Sequence, residues 1–393
     1  MPTPTSRIAD LPPYALAAIP ARKRALLARG VDVIDLGAGD ADLAPPEAAV
    51  EALIRSAREP ALQRYGFGLG YMPYREAISN FMDRRFGLTF DPLREVVPLI
   101  GSKEGIAHVA LAYLGAGDIA VVPEPGYVVY AGGTVLAGAE SFRYPLLPRT
   151  NFLVELDELP ADVLARTRLV YLNYPNNPTA AIAPRDYLKR TVDICRANDI
   201  LLVFDNAYSE LAFDGYTPPS IFELDGADEV AIEFHSLSKT YNMTGWRCGW
   251  AVARPSIAGT LARVKTFVDT GHYMGIQAAG AAALDAWADF VPSNVAVFRE
   301  RRDAAVTAFR AAGFTVDVPQ ATMYLWIPLP DGISSNAFAE KLLEEEGLVV
   351  LPGASFGEAA EGFFRISFIV GPDRLAEAAV RAGRVLASFG AVV

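Results

Sequence analysis

At 393 residues the chain exceeds one ordinary hydrophobic core, and a composition of 52% hydrophobic and 21% charged residues is that of a globular protein with large buried sheets, not of a disordered chain. The formal net charge of −11 argues against nucleic acid or an anionic membrane surface as partner, because both need a basic face, and favours a small metabolite. The two cysteines, Cys195 and Cys248, are too few for a disulfide framework and too far apart in sequence for a metal pair, so a reducing cytoplasm and no metal are expected.

The first residues mix Pro2, Pro4, Arg7, Asp10, Pro12 and Pro13 without an apolar core, so no secretory leader is expected. Residues 1 to about 30 read as an extended arm followed by a helix over 21–29, stopped by Gly30. A short strand over 31–36 then enters Gly37-Ala38-Gly39-Asp40. A dinucleotide-binding loop is excluded here, because Asp42 stands at its third glycine and Pro45-Pro46 interrupts where its helix should run. The segment reads either as a glycine corner at which a substrate approaches the backbone or as a plain turn. A helix over 46 to about 58 leads to Tyr65-Gly66-Phe67-Gly68-Leu69-Gly70-Tyr71, whose alternating glycines mark a mobile or closely approached loop. An amphipathic helix over 71–85, ended by Gly87, comes next.

From residue 96 strands and helices alternate. Strands are expected over 96–100, 119–122, 141–144, 169–172, 200–204 and 229–234, with helices over 103–114, 127–137 and 184–198. That rhythm predicts an α/β fold whose large domain is a mainly parallel sheet between helices. The apolar stretches 106–122 and 274–287 are broken by His108, Asp118, Gln277 and Asp285, and neither makes a convincing membrane span. Beyond about 288 come a helix over 293–312 with Ser293 as N-cap, a strand over 322–327, a helix over 336–346, a strand over 363–368 and a helix over 373–389. These predict a smaller α+β domain. The expected division is 1–45 as arm and part of the small domain, 46–288 as large domain, and 289–393 as the C-terminal part of the small domain.

In parallel sheets, ligands bind outside the carboxyl ends of the strands. The chemically distinctive groups fall there: Gly101-Ser102-Lys103, Pro125-Gly126-Tyr127, Asn173 through Thr179, Asp205-Asn206-Ala207-Tyr208, and Ser236-Leu237-Ser238-Lys239 each follow a strand. Lys239 is expected just past a strand end, in a loop of hydroxyls. If partly desolvated, its amine would have the lowered pKa of a carbonyl-attacking nucleophile, while Ser236, Ser238 and Arg247 could hold a phosphate. Phosphate plus aldehyde describes pyridoxal 5′-phosphate. Ser102 and the amides near Lys103 would offer that phosphate a helix N-terminus.

Asp205 ends the apolar run 200–204, where an unpartnered carboxylate is costly. It reads either as the partner of a pyridinium nitrogen, keeping the ring an electron sink, or as the N-cap of a helix starting directly after it. Tyr208 and Asn177 could bond the ring's phenolate oxygen, and Tyr127 could lie against its face. Arg365 sits in the apolar strand Phe363-Phe364-Arg365-Ile366-Ser367-Phe368 and needs an anion, which is either a substrate α-carboxylate or a structural salt-bridge partner.

The order of Gly-Ser-Lys-Glu-Gly, Pro-Gly-Tyr, Asn-Asn-Pro-Thr, Asp-Asn-Ala-Tyr, Ser-Leu-Ser-Lys and Phe-Arg-Ile-Ser resembles that of the class I and II, or fold-type I, aminotransferases over nearly the whole chain. The resemblance implies Lys239 as the lysine that bonds the cofactor aldehyde, Asp205 on the ring nitrogen, and Tyr208 and Asn177 on the phenolate. It implies Ser102, Ser236, Ser238 and Arg247, with Lys103 nearby, at the phosphate, and Tyr127 as ring platform. Arg365, Gly39 and Asn177 would take the substrate carboxylate. The tyrosine matching Tyr65 reaches the phosphate of the neighbouring subunit in that family, which implies a homodimer with shared sites.

The reaction so implied is transamination between an L-amino acid and a 2-oxo acid. The segments 101–108 and 238–247 look most like the bacterial LL-diaminopimelate aminotransferase group. Glutamate with 2-oxoglutarate is therefore expected as one pair and LL-diaminopimelate as the leading second donor, its distal groups met by Lys103, Glu104 or the Tyr65 loop. Alternatives are alanine, aspartate, methionine or aromatic substrates, a carbon–sulfur lyase using the same cofactor, or a non-catalytic aminotransferase-like regulator; the last would need a DNA-binding part for which the short arm leaves no room. Gly353-Ala354-Ser355-Phe356-Gly357 matches the hydrolase elbow, but no histidine follows it, which excludes that class.

Overall fold

The computed structural model describes residues 2–11, 19–67 and 70–390. Pro12 and Pro13 of the arm, and Gly68 and Leu69 of the glycine loop, lie outside the described residues.

Twelve strands are described, in chain order β1 (Ile34–Asp35), β2 (Val96–Leu99), β3 (Ile119–Glu124), β4 (Glu140–Pro145), β5 (Thr167–Leu172), β6 (Leu201–Asp205), β7 (Ala231–Ser236), β8 (Gly249–Ala253), β9 (Tyr324–Pro328), β10 (Leu348–Val349), β11 (Leu351–Pro352) and β12 (Phe363–Ser367). Seven of them form one sheet in the order β2-β8-β7-β6-β5-β3-β4. The pairs β3–β4, β3–β5, β5–β6 and β6–β7 are parallel, whereas β8 runs antiparallel to both β7 and β2. The reversed strand β8 and the helix Pro255–Val268 after it are additions to the sequence reading. Residues 237–248 link β7 to β8, which returns antiparallel beside it.

Helices cover both faces, so the inner strands are apolar on both sides. In β6, Leu201 and Val203 pack beneath the helices Ser102–Tyr113 and Val128–Ala137, while Leu202 and Phe204 pack on the other face against Leu188 and Val192 of the helix Arg185–Ala197. Gly105 brings the first of these helices down on the sheet, since a Cβ there would lie 2.7 Å from Leu99 Cδ1 and 2.8 Å from Phe234 Cε1.

A second layer is built from β9, β11 and β12, which form an antiparallel sheet, and from the helices Trp287–Ala311, Ser335–Glu346 and Pro372–Ser388. Ile34 and Leu36 join its core beside Phe309, Leu325 and Phe364, and β1 pairs in parallel with β10. Only Ile34–Asp35 of the expected strand over 31–36 forms a ladder. Ser293 is not an N-cap. The helix begins at Trp287 and carries Pro292 inside it, and Ser293 Oγ donates back to Phe290 O at 2.8 Å. Pro292 is the sixth residue of the helix, so Pro-Ser lies in its second turn and does not mark its start. No described helix is long and apolar enough to cross a membrane.

Candidate active site

Because β8 is reversed, β2, β3, β5, β6 and β7 all run the same way, and their carboxyl ends meet at one edge together with the entry to β8. Under that edge lies a cavity of about 440 Å³, closed from the second layer by Tyr324, Leu351, Ser355, Phe356 and Arg365. Twelve of the sequence-named residues line it: Gly39, Ser102, Lys103, Tyr127, Asn177, Asp205, Tyr208, Ser236, Ser238, Lys239, Arg247 and Arg365. The thirteenth, Tyr65, does not line it and is 74% exposed.

The lysine is not in a loop. The segment expected as strand 229–234 begins as the short helix Ala227–Val230, and β7 runs on through Ser236. Ser236 Oγ then accepts from the Ser238 amide at 3.2 Å and caps a single helical turn, Leu237–Thr240, which carries Lys239. Lys239 Nζ donates to the carbonyl of Gly39. Gly39 can have no side chain, because a Cβ would stand 2.5 Å from Tyr324 Oη and 3.3 Å from Lys239 Nζ.

Asp205 is buried at the end of β6, and no helix starts directly after it, which removes the capping alternative. Burial raises its carboxyl to about 6, although the Tyr130 hydroxyl, the Ala207 amide and the charge of His235 act in the opposite direction. Tyr130 Oη donates to Oδ2 at 2.8 Å, whereas Oδ1 is buried without a well-formed hydrogen bond. Asn173 braces the same corner, donating to the Asp205 carbonyl at 2.7 Å and accepting from the Asn177 amide at 2.8 Å. Tyr208 Oη and Tyr324 Oη are 2.9 Å apart, and burial first, then Tyr324, pushes the Tyr208 phenol well above its usual range.

At the opposite end Gly101, with φ of 71°, turns the chain from β2 into the helix Ser102–Tyr113. A Cβ there would stand 2.5 Å from Arg247 Nη2, so the glycine lets the guanidinium lie against the helix start. Arg247 donates to Thr244 O at 2.9 Å, and Thr244 Oγ1 donates to Ser238 O at 2.9 Å. Ser102, Ser236, Ser238 and Arg247 thus border one end of the cavity, beside a helix N-terminus that favours an anion. The Tyr127 ring also lines the cavity, with Lys103 Nζ 5.8 Å from its centroid.

Arg365, in β12, is buried at 4% exposure. Its Nη1 donates to Asn177 Oδ1 at 2.7 Å and its Nη2 to Gly37 O at 2.6 Å, while Nε has no partner. The guanidinium lies 4.2 Å from the Tyr324 ring centroid and 5.2 Å from that of Phe356. Among the described residues no carboxylate pairs with it, so the salt-bridge alternative fails.

These residues fit pyridoxal 5′-phosphate and an amino acid. The cluster of hydroxyls and guanidinium suits the phosphate, the orphaned Oδ1 of Asp205 suits a protonated ring nitrogen, the lysine amine suits the aldehyde, and the uncompensated guanidinium suits a carboxylate. Sequence reasoning gave no role to Asn173, which it placed at a strand end, and missed Tyr130, Tyr324 and Phe356. Tyr130 stands one helical turn beyond Tyr127 and Asn173 at a strand end, so both carried a positional signal. Tyr324 and Phe356 reach the cavity only through the packing of the second layer. Glu104, an expected contact for a distal substrate group, does not line the cavity; its carboxylate is turned to Ile100 N, His108 and Lys265.

Comparison with known proteins agrees with this geometry. The family model "Aminotransferase class I and II" matches residues 31–382. The chain is 44% identical to an LL-diaminopimelate aminotransferase of Moorella thermoacetica over 380 residues, 97% of both chains. Among solved structures it is similar to apo-BacF from Bacillus subtilis, with a TM-score of 0.95 and 32% identity over 100% of both chains. It is also similar to a probable N-succinyldiaminopimelate aminotransferase from Thermus thermophilus, with a TM-score of 0.89 and 34% identity over 94% of this chain and 100% of the other.

Proposed function

The chain belongs to the class I and II aminotransferases, which are pyridoxal-phosphate-dependent enzymes, and from that premise we propose that it exchanges an amino group between the glutamate/2-oxoglutarate pair and LL-diaminopimelate. The observation that carries the reading is Arg365, a buried cation in the cavity wall whose fork is turned to neutral partners and lacks a carboxylate. The choice of second substrate is supported by the 44% identity to a relative of that name.

When bound, the cofactor supplies an aldehyde that takes up amino groups and a ring that withdraws electrons from the substrate's Cα. Lys239 would hold the aldehyde and, once released, take the proton from Cα and return it. Gly39 O, its hydrogen-bond partner, would hold the amine aimed into the cavity. Asp205 would keep a negative charge at the ring nitrogen, Tyr208 and Asn177 would meet the phenolate, and Tyr127 would lie against the ring. Ser102, Ser236, Ser238 and Arg247 would hold the phosphate, with Lys103 beside them. Arg365, with Asn177 and Gly39, would orient the α-carboxylate. With Glu104 turned away, Lys103 and the Tyr65 loop are the suppliers left for the distal groups.

The reading includes a small domain made of residues 1–45 and 289–393 against a large one of 46–288. It also includes a cytoplasmic homodimer, supported by Cys195 and Cys248 being free and buried and by the 74% exposure of Tyr65, which would serve a partner subunit's phosphate. The test is kcat/KM for LL-diaminopimelate, alanine, aspartate, methionine and phenylalanine with 2-oxoglutarate as acceptor. LL-diaminopimelate should lead by at least about tenfold, the value of one well-placed polar contact. A clear preference for a monocarboxylic amino acid would overturn the substrate.

A further inference from the structure

One group of buried and half-buried polar side chains lies outside the cavity and has no part in the chemistry above. Glu104, His108, Lys265 and Asp269 meet where the helices Ser102–Tyr113 and Pro255–Val268 pack together. Glu104, His108 and Asp269 offer ligand atoms within 4.8 Å of one another, a spacing a metal would accept. Lys265 excludes that use, because its ammonium, 6% exposed, already bonds to both carboxylates. His108 Nδ1 lies 2.7 Å from the second oxygen of Glu104.

Burying such groups can cost more desolvation than their attraction returns unless further hydrogen bonds satisfy them. What Glu104 fixes is visible: its Oε1 accepts the Ile100 amide at 2.9 Å. Ile100 precedes Gly101, the left-handed hinge against which Arg247 lies, and Ser102, the first residue of the helix. Gly105 seats that same turn directly on Leu99 and Phe234. The carboxylate therefore ties the end of β2 to the first turn of the helix, and Lys265 ties the carboxylate to a second helix. Burial pushes the Glu104 carboxyl up, but His108 and Lys265 outweigh it and hold the group below its usual range, so it is charged at neutral pH.

We propose that Glu104, anchored by Lys265, is the positioning residue of the phosphate end: it holds the Ile100–Gly101–Ser102 turn in the one shape that presents Ser102 and the helix N-terminus beside Arg247. The proposal rests on the assignment of that end of the cavity to the cofactor phosphate. Neither Glu104 nor Lys265 lines the cavity, so neither touches the cofactor.

The test compares cofactor-free wild type, Glu104→Leu and Glu104→Gln for binding of pyridoxal 5′-phosphate, pyridoxal and inorganic phosphate, followed by quenching of tryptophan fluorescence. Glu104→Leu, which removes the acceptor for Ile100 N–H, should raise the Kd of the phosphate-bearing ligands about tenfold, and Glu104→Gln, which keeps an acceptor, by about threefold or less. Affinity for pyridoxal, which lacks the phosphate, should hold within about twofold in both, and so should kcat at saturating cofactor. A loss equal for pyridoxal and its phosphate would mark general loosening and overturn the proposal, as would unchanged phosphate affinity. If Glu104→Leu does not fold, Lys265→Met takes its place, with the same selective loss expected and the same two results overturning it. Wild type that binds neither phosphate-bearing ligand would instead overturn the cofactor assignment on which the proposal rests.

Discussion

Arg365 Nη1 donates to Asn177 Oδ1 at 2.7 Å, joining a strand of the second layer to the loop after β5. The two residues are 188 positions apart in the chain, and no carboxylate among the described residues shares the guanidinium. Arg365→Lys keeps the charge but loses the planar fork, so kcat/KM for amino acids should fall on the order of a hundredfold while cofactor affinity is kept. Arg365→Met should be at least as stable as wild type in urea unfolding, because it removes a buried charge that lacks an ionic partner. Wild-type kcat/KM in Arg365→Lys would remove Arg365 from substrate binding.

Asp205 links the site to stability. Its carboxyl ionises near 3.8 in the unfolded chain and near 6 in the cofactor-free fold, with burial as the main cause. Between those values the unfolded state gives up its proton first, so this group's contribution is fully present below about pH 4 and is lost as pH rises through about 6. Asp205→Asn does not titrate. Relative to wild type, the cofactor-free variant should gain about 1–3 kcal/mol between pH 4 and pH 7, while its turnover collapses. Equal pH slopes for the two proteins in denaturant titrations would contradict the assigned burial penalty.

Lys239→Ala should lose activity by several orders of magnitude, since the other lysine lining the cavity, Lys103, is assigned to the phosphate end and not to the aldehyde or the Cα proton. It should still bind the cofactor noncovalently through Arg247, the serines and Asp205. Borohydride reduction followed by peptide mass mapping checks this: wild type should carry the label on Lys239 and the variant none. A label on another lysine of the variant would end the assignment.

Tyr65 is exposed and does not line the cavity. Tyr65→Phe should weaken cofactor retention by about tenfold, the value of one hydrogen bond to a charged group. Mixing inactive Lys239→Ala subunits with impaired Tyr65 subunits under exchange conditions should give activity that differs from the sum of the parents. Strict additivity would show that the sites are not shared.

The alternation of short apolar runs with amphipathic stretches fixes the α/β class from sequence alone, because the period of a half-buried helix and the length of a buried strand are local properties. Strand ends are local as well, which is why Ser102, Tyr127, Asn177, Asp205, Tyr208, Ser236 and Lys239 could be named before any contact was known. Locality also explains the errors. Ser293 has a residue type favoured at an N-cap, yet the helix begins six residues before it, and Ser236 caps its turn only because β7 runs far enough to reach it. β8 gives no periodic signal, and its direction is visible only in its antiparallel pairing with β7 and β2.

The pairings that make the residues a site belong to the tertiary structure. Tyr130 meets Asp205 across 75 positions, Lys265 meets Glu104 across 161, and Gly39 leaves room for Tyr324 and Lys239, both remote from it in the chain. A sequence can place a carboxylate or a guanidinium at the mouth of a strand. Whether that charge finds a partner depends on which strands lie side by side and which helix covers them, and these are set by crossover connections and close packing between segments remote in the chain.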